Sequence, residues 1–213
     1  MLFRSVFAEL PGGRRVQYPV GATGRHMALN SLACLAVLIG LKLPLSTALP
    51  SLAAFQALPG RGETMDLEAE GKLLRVIDDA YNANPISMAA ALRLVRDTEP
   101  PLPGGRRVLV LGDMRELEPR AEELHAALAS EVRAARPDLL LLCGEYMAHL
   151  QEAMAGEVAS HWFPDVDALQ PRLLEFLGPG DLVLVKSSAG TRLSGLVRHL
   201  RQLHAPSVVP MQR

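Results

Sequence analysis

The sequence predicts an α/β protein with a Rossmann-like, mostly parallel sheet that follows a smaller N-terminal segment. In the second half of the chain, four short and almost wholly apolar runs alternate with longer helical patterns. Such runs are typical of strands that a sheet buries on both faces. Right-handed crossovers between them give a doubly wound sheet. Residues 57–62, ALPGRG, interrupt the pattern and mark the best candidate boundary.

Composition limits the classes of protein that this chain can be. Its 213 residues leave room for one large domain or two small ones. A formal net charge of -1 predicts neither a nucleic-acid partner nor an anionic membrane surface. Two distant cysteines, Cys34 and Cys143, predict a reducing cytoplasm, with neither a disulfide framework nor a zinc site. The apolar run 27–41 is shorter than the roughly 20 residues of a membrane span and predicts a buried helix.

The first part of the chain predicts a hairpin followed by two helices. Turn residues at 11–13 separate two segments of strand character. The predicted elements are strands at 2–9 and 16–20, a loop at 21–24, and helices at 26–40 and 45–55. The second helix has Ser46 or Thr47 as its predicted N-cap.

The second part predicts a strand pair and then alternating helices and strands. The pair, at 63–67 and 73–77, surrounds the turn formed by Glu70 and Gly71. The predicted helices are 86–98, 121–135, 146–154, 166–177 and 192–203. The predicted strands are 107–111, 139–142, 158–162 and 182–185. Residues 205–213 predict a loose tail.

The densest polar cluster follows the second strand of this pair, at residues 78–85, DDAYNANP. In an open α/β sheet, ligands bind in the loops beyond the carboxyl ends of the strands. Two carboxylates, a phenol and two amides in such a loop can hydrogen-bond ribose or peptide groups. The same residues also predict a plain strand-to-helix turn, with Asn84 as N-cap and Pro85 in the first helical position. Local chemistry alone favours the two interpretations equally.

Two more polar loops follow predicted strands. Asp113 stands where a ligand contact is expected, although spacing alone favours an ordinary loop with a solvated acid. His125 lies on the next predicted helix, where a histidine is more often packed or exposed than functional. Residues 186–192, KSSAGTR, place two cations and three hydroxyls near a helix N-terminus. That arrangement suits an anion, and it serves equally well as a polar cap.

His26 and Asn30 are four residues apart and therefore share one face of their predicted helix. They can bind a base or a phosphate, or they can simply pack and cap.

A phosphate-binding loop of the usual kinds is absent from the sequence. It contains no G-x-x-x-x-G-K-S/T, and no G-x-G-x-x-G follows a strand. The one Gly-Lys pair, Gly71 and Lys72, lies in a predicted hairpin.

Four segments, in this order along the chain, resemble the Mur ligase family. They are GRHMALNSLACLAV at 24–37, ALPGRGE at 57–63, IDDAYNANPISMAAAL at 77–92 and VLVLGDMRELEPRAEELH at 108–125. YNANP and LGDM are most similar to the branch of the family that adds D-alanyl-D-alanine to UDP-N-acetylmuramoyl-tripeptide. The resemblance implies that residues 1–59 are the end of the family's central ATPase domain. It implies that residues 60–213 are the family's C-terminal Rossmann-like domain.

The resemblance also implies roles for individual residues. Those expected to bind ATP are His26 and Asn30 near the adenine, Arg61 at the phosphates and Asp79 at the ribose. Those expected to bind substrate are Tyr81, Asn82, Asn84, Asp113, Lys186 and Ser188. No catalytic residue and no metal ligand is expected within this chain. The last motif departs from the family pattern at Ala189 and Ser194, where an arginine and a glutamate are usual.

The function that the resemblance implies is the C-terminal part of a cytoplasmic ligase that uses ATP and Mg²⁺. Its substrates would be a UDP-N-acetylmuramoyl-peptide and D-alanyl-D-alanine, as in peptidoglycan synthesis. Because the phosphate loop and the magnesium ligands are missing, the chain alone is expected to be inactive, and a separate N-terminal half is a conceivable partner. The alternative is a non-catalytic binding or partner module of the same fold, which the altered last motif favours. A relative of folylpolyglutamate or cyanophycin synthetases is a weaker alternative, against which YNANP and LGDM argue.

Overall fold

The computed structural model describes residues 5–22 and 24–204, and the chain forms an α/β fold with two sheets. A hairpin and two helices make up the first part, and a six-stranded sheet with helices on both faces makes up the second. The predicted fold class, α/β with a mostly parallel sheet, is therefore confirmed. Predictions for residues 1–4, Thr23 and 205–213, which include the start of the first strand and the tail, lie outside the described residues.

The first part packs two helices against an antiparallel hairpin. Its elements are β1 (Ser5–Glu9), β2 (Arg15–Pro19), α1 (Arg25–Gly40) and α2 (Leu45–Ala54). A small apolar core contains Tyr18 and Leu35, and the Tyr18 hydroxyl lies 2.9 Å from Ser31 Oγ. The apolar run at 27–41 lies mostly in α1, but the prediction of a buried helix is wrong, because only Ser31 and Leu35 of α1 are buried, while Leu29 and Val37 are 52% and 61% exposed. No helix among the described residues is both long and apolar enough to cross a membrane.

The second part is a sheet with the strand order β3-β4-β8-β5-β6-β7. Its strands are β3 (Glu63–Ala69), β4 (Lys72–Asp79), β5 (Arg107–Gly112), β6 (Leu139–Cys143), β7 (Ala159–Phe163) and β8 (Leu182–Lys186). β3 runs antiparallel to β4, and every other neighbouring pair is parallel. The strands β6 and β8 are buried at every position, which explains why they read as unbroken apolar runs.

Helices cover both faces of this sheet. They are α3 (Pro85–Arg96), α4 (Ala121–Ala127), α5 (Ala129–Ala135), α6 (Met147–Ala153), α7 (Val166–Leu169), α8 (Leu173–Phe176) and α9 (Ser194–His204). Successive residues of a strand point to opposite faces, so Leu109 packs with Leu92 of α3 while Val110 packs with Leu196 of α9. The carboxyl ends of β4, β8 and β5 lie side by side, where the polar loops begin.

Two predicted helices are interrupted. The helix predicted at 121–135 forms as α4 and α5, because the Leu128 N–H bonds to the carbonyl of His125 and tightens the turn there. The helix predicted at 166–177 forms as α7, a short 3₁₀ turn and α8. Pro171 lies in that turn, and its missing N–H cannot continue an α-helical ladder.

The two predicted helix starts have different outcomes. At α2 the predicted N-cap is wrong: Pro44 holds that position without a side-chain cap, and both Ser46 and Thr47 lie inside the helix. At α3 the predicted turn is confirmed, with Asn84 as N-cap and Pro85 in the first helical position.

Candidate functional site

A cavity of about 570 Å³ lies between α1, the linker after α2 and the start of α3. Seven of the ten residues expected to bind ATP or substrate line it: His26, Asn30, Arg61, Asp79, Asn82, Asn84 and Lys186. Met27, Phe55 and Leu58 add apolar wall. The cavity therefore places hydrogen-bonding groups beside apolar surface, as small-molecule sites do.

A larger cavity of about 630 Å³ adjoins the first and shares His26, Ile86 and Ala90 with it. Of the ten expected residues, it contains only His26. The smaller cavity is therefore the better candidate site.

Asp79 and Lys186 form a partly buried ion pair at the smaller cavity. They are the last residues of the neighbouring strands β4 and β8, and they stand opposite each other in the register. Lys186 Nζ donates to Asp79 Oδ2 at 2.6 Å and to the Asn82 carbonyl at 3.0 Å. Burial raises the pKa of the Asp79 carboxyl, and the Lys186 ammonium opposes that rise. Sequence reasoning selected both residues but missed their pairing, because 107 residues separate them.

His26 and Asn30 lie on α1 and both line the cavity, as their spacing predicts. Burial lowers the pKa of His26, while Asp79 raises it and Lys186 lowers it further. The imidazole is therefore neutral near pH 7, with one nitrogen that donates and one that accepts. An imidazole and an amide on one helix face can recognise the edge of a base.

Arg61 and Tyr81 contact each other at the edge of the cavity. The guanidinium carbon of Arg61 lies 4.1 Å from the centre of the Tyr81 ring, which is a cation–π contact. Tyr81 is 54% exposed and lines a different cavity, of about 360 Å³, beside α9. Tyr81 therefore does not line the 570 Å³ cavity, and its link to that cavity is its contact with Arg61.

Asp78 and Asp79 are neighbours in sequence but face opposite sides of the sheet, as successive strand residues do. Asp78 accepts the Gly60 N–H at 3.0 Å and the Ala80 N–H at 3.4 Å. Gly60 has a φ of +75°, and a Cβ there would lie 3.0 Å from the Cβ of Tyr81. Asp78 thus fixes the linker, a role that sequence reasoning missed when it treated the two carboxylates as one group. The alternation of the strand is the signal that separates them.

The side chains of the two asparagines partly serve the local turn. Asn84 Oδ1 accepts the Ser87 N–H at 2.8 Å, and Ser87 Oγ accepts the Asn84 N–H at 3.0 Å, which completes a capping box. Asn82 Oδ1 accepts the Ala83 N–H at 2.9 Å. The oxygens are therefore engaged, and the amide N–H groups at the cavity are the atoms that a ligand can use.

Asp113 and His125 lie inside the domain, away from the cavity. Asp113 is 2% exposed, and its Oδ1 accepts the Met147 N–H at 3.0 Å where α6 begins. His125 is fully buried; its Nε2 accepts the Met114 N–H at 2.9 Å, and its Nδ1 lies 2.6 Å from the Ala121 carbonyl. Burial raises the pKa of Asp113 and lowers that of His125. Asp113 is therefore not the solvated acid that its spacing favours.

The loop after β8 connects the loops that follow β4 and β5. Ser188 is 5% exposed; its Oγ accepts the Arg115 N–H at 2.9 Å and lies 3.4 Å from the Ala83 carbonyl. The two cations of the loop are both paired, Lys186 with Asp79 and Arg192 with Asp167. This geometry favours a polar connection over an anion site in the loop.

Magnesium does not fit the donors of this site. Within residues 5–22 and 24–204, no group of three or more His, Cys, Asp or Glu side chains is placed to hold a metal ion. The Asp79 carboxylate at the cavity is already paired with Lys186. Mg²⁺ at a nucleotide is usually held by one or two carboxylates together with waters and phosphates, and among the described residues no unpaired carboxylate lines this cavity. Cys34 and Cys143 are free thiols.

Comparison with known proteins gives a consistent match. The family model described as "Mur ligase, glutamate ligase domain" matches residues 60–189. The UDP-N-acetylmuramoyl-tripeptide--D-alanyl-D-alanine ligase of Escherichia coli strain K12 is 35% identical over 181 residues, which cover 84% of this chain and 38% of that protein. The enzyme of the same name from Bacillus subtilis strain 168 is 30% identical over 181 residues, with 83% and 38% covered. The chain therefore spans less than half the length of these relatives.

Solved structures show the same fold. A crystal structure of MurF from Acinetobacter baumannii has a TM-score of 0.77 at 24% identity and covers 95% of this chain and 44% of that one. The MurF ligase from Thermotoga maritima in complex with ADP has a TM-score of 0.72 at 21% identity, with 94% and 44% covered.

Proposed function

This chain belongs to the Mur ligase family, and from that premise we propose that it is the C-terminal part of a peptidoglycan ligase. The reaction that we assign joins D-alanyl-D-alanine to UDP-N-acetylmuramoyl-tripeptide, and relatives at 35% and 30% identity carry that name. The observation that carries the proposal is the convergence of seven expected residues on one cavity. They come from segments far apart in sequence, which a ligand site explains and local capping does not.

ATP fits the groups that line this cavity. We assign the base to His26 and Asn30, the ribose hydroxyls to Asp79 and the phosphates to Arg61, whose guanidinium can bind two phosphate oxygens at once. Asp79 Oδ1 suits this role, because it accepts no hydrogen bond from the described residues while Oδ2 is held by Lys186. When bound, ATP supplies the phosphoryl group that activates a carboxylate for attack by an amine. The residues of this chain bind and orient, and closure of the domain excludes water.

The remaining parts of the machinery are assigned to residues outside this chain. The sequence has no P-loop, and the donors of the cavity do not fit Mg²⁺. We therefore propose that these 213 residues alone hydrolyse no ATP, and that a P-loop outside them completes the site. In this assignment residues 1–59 complete the ATPase domain, residues 60–213 form the closing domain, and the reaction takes place in the cytoplasm.

The experiment supplies the P-loop-bearing half of such a ligase, as a separate chain or as a fusion, and measures phosphate release that depends on D-alanyl-D-alanine. Asp79→Ala leaves the ribose hydroxyls unpaired, which costs roughly 1–3 kcal/mol, or about 5- to 150-fold in the apparent affinity for ATP. Arg61→Lys should also weaken ATP binding, because a point charge cannot reproduce the two-pronged guanidinium contact.

Asp66→Ala is the matched control, since Asp66 is an exposed acid of β3 that pairs with Arg75 at 2.8 Å away from the cavity. Its activity per folded molecule should stay at the level of the unmodified chain. Unchanged ATP dependence in both Asp79→Ala and Arg61→Lys would remove these residues from the site. A reconstituted mixture that binds ADP but never ligates would instead support the non-catalytic module.

A further inference from the structure

Lys186 is placed to act on Asp79 and not on a ligand. It is 1% exposed, although it ends a strand at the edge of the cavity. Two of its three N–H donors are used, by Asp79 Oδ2 at 2.6 Å and by the Asn82 carbonyl at 3.0 Å. Both partners belong to β4 and the loop after it, so the ammonium fixes the end of the neighbouring strand.

The Lys186 ammonium favours the ionised form of Asp79, which burial disfavours. Three groups face its carboxylate: Lys186 from β8, His26 from α1 and Arg61 from the linker. Of these, Lys186 makes the direct hydrogen bond, Arg61 acts through longer-range attraction, and His26 attracts the carboxylate only when it is protonated. His26 is neutral near pH 7, since burial lowers its pKa. Without Lys186, the partly buried Asp79 carboxyl would be protonated more readily, and its side chain would be free to rotate.

We propose that Lys186 is a positioning residue, whose ammonium keeps the Asp79 carboxylate ionised and in one orientation, with Oδ2 held and Oδ1 left for a ligand hydroxyl. The substrate role that the resemblance assigns to Lys186 is replaced by this one. The identity of the ligand hydroxyl rests on the proposed function, whereas the action of Lys186 on Asp79 does not.

The direct test is an NMR titration of the Asp79 carboxyl in the 213-residue chain. Lys186→Met should raise the titration midpoint of Asp79 by about 1–3 pH units, because an opposite charge in contact is lost. Lys186→Arg keeps the charge and should return at least half of that shift. Lys72→Met is the matched control, since Lys72 Nζ donates to the Leu174 carbonyl and does not face Asp79. An unchanged midpoint in Lys186→Met would overturn the proposal.

A second variant keeps the proposal testable where Lys186→Met does not fold. The double variant Lys186→Met with Asp79→Asn removes both charges and leaves no lone buried ion, so it should fold where the single variant fails. If the double variant also fails to fold, the two charges do not act as a pair and the proposal is wrong.

Calorimetric titration with ADP separates positioning from direct contact. If Lys186 acts through Asp79, the affinity of Lys186→Met for ADP should fall most at low pH and recover as the pH rises above the shifted midpoint. A direct contact between Lys186 and the ligand would lower the affinity equally at every pH, which would overturn the proposal. If the chain together with a P-loop-bearing half binds no ADP, the nucleotide assignment fails, while the carboxyl titration still decides whether Lys186 positions Asp79.

Discussion

Two aspartates stand at the carboxyl ends of parallel strands that β8 separates, and the fold uses them in opposite ways. Asp79 ends β4 and lines the 570 Å³ cavity. Lys186 donates to its Oδ2, while its Oδ1 accepts no hydrogen bond from the described residues. Asp113 follows β5 and is 2% exposed, and its Oδ1 accepts the Met147 N–H. Both positions match the rule that ligands bind beyond strand ends, so position alone does not separate a ligand contact from a structural one.

The helix nearest each aspartate explains the difference: α3, which follows β4, and α6, which follows β6 beside β5. α3 carries its own capping box, formed by Asn84 and Ser87, so its N-terminus needs nothing from Asp79. α6 has Tyr146 at its N-cap and no side-chain cap of its own. The first N–H groups of a helix require acceptors, and α6 takes Asp113 from the neighbouring strand. An acid at a strand end is thus available to a ligand when the nearby helices cap themselves.

The largest expected effect in this comparison comes from Gly144, which packs against the Asp113 carboxyl. Gly144 has a φ of +114°, and a Cβ there would lie 2.5 Å from the carboxyl carbon of Asp113. Gly144→Ala therefore combines backbone strain with displacement of a buried cap. We expect the free energy of unfolding in urea to fall by about 3 kcal/mol or more.

Gly156→Ala is the control for the backbone contribution alone. Gly156 has a φ of +78°, and nothing lies within 4 Å of a Cβ built there. That substitution should cost about 1–2 kcal/mol. Equal losses in the two variants would mean that the Asp113 cap is not held tightly against Gly144.

The next effect is a pH dependence. Burial raises the pKa of Asp113, so the folded chain keeps this proton at pH values where the unfolded chain has lost it. Asp113 therefore favours folding below about pH 4, and that contribution is lost as the pH rises through the folded pKa. Asp113→Asn cannot ionise but still accepts the Met147 N–H. Relative to the unmodified chain, its free energy of unfolding should rise as the pH increases from the unfolded pKa of about 3.9 to the folded pKa, by about 1.4 kcal/mol for each unit that separates the two pKa values.

Asp66→Asn should behave in the opposite way. The hydrogen bond from Arg75 lowers the pKa of Asp66, so this acid stabilises the fold above its unfolded pKa and loses that effect in acid. Its Asn variant should therefore lose stability relative to the unmodified chain as the pH rises. A rise in both variants would contradict the assignment of Asp113 as a buried acid.

The sheet could be predicted from the sequence because its strands are buried on both faces. The runs at 107–111, 139–142 and 182–185 need no partner information to be recognised, and all three form strands. Helix interruptions were harder to predict, since the break at Leu128 depends on one tightened turn in an otherwise regular pattern.

The site could be predicted in part. Local spacing placed His26 and Asn30 on one helix face, and the loop after β4 was recognised as polar. The sequence could not reveal that Lys186 neutralises Asp79 or that α6 recruits Asp113, because both depend on side chains that meet across the sheet. Long-range pairing of this kind follows from the strand order, which local patterns do not contain.

The smallest expected effect distinguishes two neighbouring serines in the loop that joins the two regions. Ser188 connects them, since its Oγ accepts the Arg115 N–H at 2.9 Å and lies 3.4 Å from the Ala83 carbonyl. Ser187 is fully buried, yet its Oγ has no hydrogen-bond partner among the described residues. Ser188→Ala leaves the partly buried Arg115 N–H unpaired and should lower the free energy of unfolding by about 1 kcal/mol. Ser187→Ala removes an unsatisfied hydroxyl and should change it by less than about 0.5 kcal/mol or raise it. Urea denaturation of the two variants measures the contrast, and an equal loss in both would mean that Ser187 also holds the β4 and β5 loops together.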